Sequence, residues 1–121
     1  MKIKLDPLDI LFSKLIRRRA EGKCEYCGQY PKPQGYHCHH FIGRRYRNTR
    51  YELDNGVALC MACHNLMHDF PDESQAFFVK RVGNQRAEEL KIIARTFNKM
   101  TAERKEKIKA DLKEKVKLLE G

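Results

Sequence analysis

Four cysteines in two close pairs, Cys24-Glu25-Tyr26-Cys27 and Cys60-Met61-Ala62-Cys63, are the first residues in this chain equipped for chemistry. Thiolates at that spacing suit a structural zinc: tetrahedral, closed and sulfur-ligated. Between the pairs stands His37-Cys38-His39-His40, and His64 and His68 follow the second pair. These histidines are surplus to a four-cysteine zinc and are free to build a second site. His64 and His68 are four apart, so on a helix they share a face and can hold one ion. A neutral imidazole can also take a proton from water. An ion beside a base is what hydrolysis of a phosphodiester needs.

Competing readings stand beside each motif. Two Cys-x-x-Cys pairs can be redox dithiols, but no strand–helix–strand pattern surrounds them. Cys60-Met61-Ala62-Cys63-His64 matches the attachment motif of c-type haem, yet that reading gives Cys24 and Cys27 no purpose. His68 reads as a ligand or as a cap on the helix end. His37 reads as polar surface or as a neighbour of the site. Asn55 reads as a turn residue in Asp54-Asn55-Gly56. Cys38, the fifth cysteine, reads as a small buried hydrophobe.

The totals narrow the field. A chain of 121 residues suits a single domain, and a metal would support its modest core. Charged residues make up 34% and the net charge is +9, which favours a polyanionic partner, nucleic acid before membrane. No run of apolar residues is long enough to cross a bilayer. The start of the chain, Met1 to Pro7, lacks a secretory pattern. A cytoplasmic setting with reduced thiols follows as the expectation.

Helices and strands must bring the cysteines and histidines together. Asp6 caps an expected helix running to about Ala20, with Pro7 in its first turn and Arg17, Arg18 and Arg19 in its last. That triplet suits either the helix dipole or phosphate contact. Pro31, Pro33 and Gly35 mark a loop, and Tyr36 to Ile42 reads as a strand. An exposed arginine loop follows, then a second strand at Val57-Ala58-Leu59. A helix from Cys60 to about Asp69 is ended by Pro71. Later helices are expected with Asp72 as a cap, over Arg86 to Lys99 with Phe97 in the buried stripe, and over Thr101 to Gly121. The last carries a seam of Ile108, Leu112, Val116 and Leu119 that suits loose packing or a homodimer. Thirty-two residues separate Cys27 from Cys60, so the pairs meet only if the intervening segment folds back as a hairpin.

In order and spacing, residues Cys24 to His68 resemble the HNH, or ββα-metal, endonucleases. His40-Phe41-Ile42-Gly43-Arg44-Arg45-Tyr46, the Asp54-Asn55 turn with Cys63-His64, and Phe77 to Gly83 resemble more narrowly the phage NinG/Rap-type recombination nucleases. The resemblance implies His40 as general base, His39 and His64 as ligands of a catalytic ion, and Asn55 as a brace for the loop behind the base. His68 matches a third histidine ligand of the colicin-like members. Many members carry Asp where this chain has His39. The ion therefore stays open between magnesium and softer choices such as manganese, nickel, cobalt or zinc. The family also implies 5′-phosphate and 3′-hydroxyl ends.

The expectation is a mainly helical α+β fold with a ββα-metal core. It forms one domain over 1–121: an N-terminal helix to 22, a zinc-bearing core over 23–70, and C-terminal helices over 71–121. Structural zinc on Cys24, Cys27, Cys60 and Cys63 pins the hairpin to the helix. DNA is the expected partner, held by Arg44, Arg45, Arg47 and Arg50 through its backbone, with Tyr46 and Tyr51 able to stack on bases. The alternative is a non-catalytic zinc module that binds nucleic acid.

Strict strand alternation sends His39 and His40 to opposite faces. Both reach one site only if the strand ends or bulges there.

Overall fold

The computed structural model describes residues 4–31 and 35–120. The expected loop's Pro33 lies outside them. Among the described residues the order is α1 (Pro7–Arg19), β1 (Tyr36–His40), β2 (Gly56–Cys60), α2 (Met61–Asp69), α3 (Pro71–Val82), α4 (Asn84–Arg95) and α5 (Ala102–Glu120). The fold is α+β and mainly helical, with β1 and β2 forming an antiparallel pair. Among the described residues no helix is long and apolar enough to cross a membrane.

α1 begins with a reciprocal cap. Asp6 accepts from the N–H groups of Leu8 and Asp9, and the Asp9 carboxylate accepts from the Asp6 N–H. Its apolar face, Phe12, Leu15 and Ile16, packs on Ala58 of the hairpin and on Leu112 and Val116 of α5. The seam of α5 is thus covered within the chain, whereas Leu119 stays 52% exposed. Thr101 caps α5 by accepting from the Arg104 N–H at 3.1 Å.

The register runs from Tyr36 opposite Cys60 to His40 opposite Gly56, with every residue paired and no bulge. β2 is buried from Gly56 to Leu59, which accounts for its unbroken apolar run. On one face, Val57 and Leu59 pack with Cys24, Cys63 and Met67. On the other, Gly56 leaves space that Phe12 fills. A Cβ at residue 56 would sit 2.8 Å from two Phe12 ring atoms.

Glu25 locks the first cysteine knuckle to the hairpin. Its N–H donates to the Ala58 carbonyl at 2.8 Å, and its carboxylate accepts from the Ala58 N–H at 3.0 Å. Arg19 of α1 and Arg81 of α3 both pair with the same carboxylate.

Several boundaries differ from the sequence expectation. β1 stops at His40, and Phe41 packs beyond it against Phe77 and Phe78. Pro71 starts α3 as well as following α2, because its ring suits a first helical turn. Phe70, rather than Asp72, stands at that N-cap. α4 ends at Arg95, so Phe97 falls past the helix and is 95% exposed.

Candidate metal and histidine site

The four cysteine Sγ atoms lie within 4.8 Å of one another, with Cys27 and Cys60 at 3.9 Å. Zinc–sulfur bonds of about 2.3 Å at tetrahedral angles set sulfurs roughly 3.8 Å apart, so the donor set and its spacing fit zinc. The first pair sits in a turn, and the second spans the start of α2, with Cys60 as its N-cap. Gly28, at φ +77°, donates to the Cys24 carbonyl at 2.9 Å, and the Cys27 N–H points at Cys24 Sγ at 3.5 Å. Burial opposes ionisation of Cys24, but backbone N–H donors outweigh it and bring the thiol down to about 7. Cys63 shifts the other way, raised by burial and by the three sulfurs around it. A bound cation would relieve that crowding of thiolates.

The second cluster joins β1 to α2. One ring nitrogen from each of His39, His64 and His68 lies within 4.8 Å of the others. His64 and His68 share a helical face with ring centroids 4.6 Å apart, and His39 stands 5.5 Å and 5.7 Å from them. His39 is buried, and burial followed by the neighbouring imidazoles brings it down to about 4. Burial lowers His64 as well. Neutral imidazoles are the form that binds metal. Three protein donors leave coordination positions open, as a catalytic ion requires. The hydroxyl of Ser74 is 3.5 Å from His39 Nε2, in position for a weak outer contact.

His40 is fixed from behind. Its Nε2 lies 2.9 Å from the Arg50 carbonyl. A carbonyl only accepts, so Nε2 carries the proton and Nδ1 keeps its lone pair. The ring stacks on Phe12 at 5.1 Å. Burial brings His40 down to about 4, partly offset by the bond to Arg50. Alternation does separate His39 from His40, but β1 ends at His40. A cavity of about 280 Å³ wraps that end and is lined by His39, His40 and His68 together with Ser74.

Asn55 is fully buried and clips the two ends of the arginine loop. Its Oδ1 accepts from the Ile42 N–H at 2.7 Å, and its Nδ2 donates to the carbonyls of Ile42 and Thr49, each at 3.0 Å. Its backbone closes the 3-10 turn Leu53–Asn55, as the turn reading expects, while its buried side chain makes these further bonds.

The arginines divide. Arg44 is half-buried, and Arg45 and Arg47 are exposed. Arg45 lies over the Tyr46 ring at 4.8 Å. Arg50 departs from the sequence expectation of a phosphate contact: only 6% exposed, it makes a two-pronged ion pair with Asp9 and also donates to the Lys4 carbonyl. Tyr51 is likewise spent, donating its hydroxyl to Asp6.

Sequence reasoning missed Asp9, Phe12 and Ser74. Phe12 reads in the sequence only as part of the apolar stripe of α1, and all three are brought to the site by long-range packing. His37 carried a signal in the His37 to His40 run. It stacks on His64 at 4.9 Å, with a buried Nε2 that has no hydrogen-bond partner.

Residues 5–121 match the family described as NinG, Bacteriophage Lambda NinG protein. No match was found among curated proteins or among solved structures. The family match runs through both cysteine knuckles, the histidine cluster and every described helix, and the chain belongs to the bacteriophage lambda NinG family.

Proposed function

We propose that this protein is a metal-dependent endonuclease that hydrolyses phosphodiester bonds in DNA, in the manner of the HNH enzymes. The observation that carries the reading is the oriented His40 ring. Its Nε2 is held by the Arg50 carbonyl, and it lines one cavity with His39 and His68.

The chain's residues divide the work. His40 Nδ1 accepts a proton from water as the water oxygen attacks phosphorus. The bond from phosphorus to the 3′ oxygen breaks, and that oxygen takes a proton from solvent. The products carry 5′-phosphate and 3′-hydroxyl ends. A divalent ion held by His39, His64 and His68, magnesium, manganese, nickel or zinc, supplies Lewis-acid stabilisation of the phosphoryl and leaving oxygens when bound. Asn55 and the Asp9–Arg50 pair act as positioning residues, because they hold the loop that holds His40. A phosphate entering the cavity brings negative charge that raises His40 from its low value toward a useful base. Arg44, Arg45 and Arg47 supply positive charge near the phosphate. The four cysteines and their zinc keep the hairpin on α2 and take no part in the chemistry. The host-cell cytoplasm, where thiols stay reduced, is the fitting compartment.

Incubation of supercoiled plasmid with magnesium or manganese tests the reading. The parent nicks it, and His40→Ala loses about 10²–10⁴ in rate while keeping its zinc. Equal nicking by both removes His40 as the base. No nicking by a zinc-loaded parent on any DNA leaves a zinc-stabilised nucleic-acid binder.

A further inference from the structure

A second cavity, about 310 Å³, lies between α1 and β1 and also reaches His40. We infer that this groove takes one unpaired nucleotide of the substrate strand, with Arg17 and Arg44 on its phosphate and Leu5 and Ile10 against its sugar or base; the inference rests on the nuclease reading. His40 lines both this groove and the cavity shared with His39 and His68. A strand lying in the groove therefore leads to the base.

Charge in the groove favours a phosphate. The arginine triplet ending α1 is split by the structure. Arg18 pairs with Glu120, and Arg19 pairs with Glu25 and donates to the carbonyls of Leu53 and Gly56. Among the described residues the Arg17 side chain makes one hydrogen bond, at 3.4 Å to the Ser13 carbonyl. Neither Arg17 nor Arg44 has an ion-pair partner among the described residues. The one carboxylate lining the groove, Asp9, is neutralised by Arg50. Two uncommitted guanidinium groups thus stand over a wall whose negative charge is already matched.

Shape and polarity point to an unpaired nucleotide. At about 310 Å³ the groove has room for a single nucleotide. Leu5 and Ile10 are 59% and 68% exposed, an apolar rim with no packing role. The Tyr36 hydroxyl is tied to the Lys23 carbonyl at 2.9 Å, so the floor is fixed. A duplex would have to release a nucleotide to enter, at a cost of about a few kcal/mol that an unpaired strand avoids.

Binding is measured with the full zinc-loaded chain carrying His40→Ala, so that nothing is cut. The probe is a fluorescent single strand of roughly 12 nucleotides, read by anisotropy beside its duplex. The single strand should bind at least about tenfold more tightly than the duplex, because it avoids the unpairing cost. Arg17→Gln and Ile10→Glu should each weaken single-strand binding about fivefold to tenfold. Arg17→Gln should also flatten the salt slope by about one. Lys113→Gln, an exposed charge on α5, controls for net charge and should change neither. In the active protein Arg17→Gln should raise KM and spare kcat. Parent-like single-strand binding by both groove variants, or equal sensitivity of duplex binding, overturns the groove. Loss of binding in the variants with no cutting by the parent keeps the groove and removes the nuclease. Cutting by the parent with binding indifferent to both variants does the reverse.

Discussion

Arg50 holds two groups with different atoms. Its guanidinium is locked to Asp9, and its carbonyl accepts from His40. The sequence places Arg50 in a basic run, where it reads as one more phosphate contact. Its actual partner is 41 positions away on α1, and no local pattern announces that. The cysteine and histidine clusters were legible because the spacing of possible ligands is written in the chain itself. Asp6 illustrates a residue whose local role was legible and whose distant partner was not. Burial alone would raise its carboxyl, but the Tyr51 hydroxyl and the N–H groups of Asp9 and Leu8 hold it below its ordinary 3.8. A carboxyl lowered by folding stabilises the protein above that value, and the stabilisation fades as pH falls through the folded value. Asp6→Asn keeps a cap acceptor and loses the charge. It should cost about 0.3–1 kcal/mol near neutrality, the worth of a negative charge at a helix N-terminus, and denaturant melts should show the gap from the parent closing below about pH 4. Both proteins lose cysteine ligation alike in acid, so the difference reports Asp6. A gap that widens in acid would contradict the assignment.

Among the elements, the hairpin depends on one glycine. Gly56 faces His40 across the register, and Phe12 occupies the space where a side chain would be. Phe12 in turn stacks on His40. Gly56→Ala forces a Cβ to 2.8 Å from the ring, and Ile16 leaves little room at 3.1 Å. The expected cost is about 1–3 kcal/mol by chemical denaturation, with slower DNA nicking because the His40 ring loses its backing. Unchanged stability and nicking would remove Phe12 from the account. The sequence marks Gly56 only as part of a turn, since the close approach comes from α1. Strand and helix existence were legible from apolar periodicity, whereas ends were less so. Phe97 extends the helical stripe on paper, yet Asn48 donates to the carbonyls of Ile93 and Thr96, where α4 ends. That long-range bond satisfies the carbonyls and releases the chain from the helix before Phe97.

Across the molecule, two donor sets of different character sit on either side of the start of α2. The sulfur set joins the first knuckle to the hairpin's end, and the imidazole set joins β1 to α2. α1 and α5 close the opposite face of the sheet and share a core with it. The overall class was legible from charge, cysteine spacing and helical periodicity. The use of the α5 seam was not, because an amphipathic helix carries no sign of whether its cover is its own chain or another. Metal content separates the cysteine set from the histidine set. Zinc is counted in the purified parent and in His64→Ala/His68→Ala, and each is then titrated with manganese while plasmid nicking is followed. Both proteins should retain one tightly held zinc, while only the parent binds a further manganese ion and nicks DNA. Loss of the zinc from the histidine variant, or manganese binding and nicking equal to the parent's, would contradict that division.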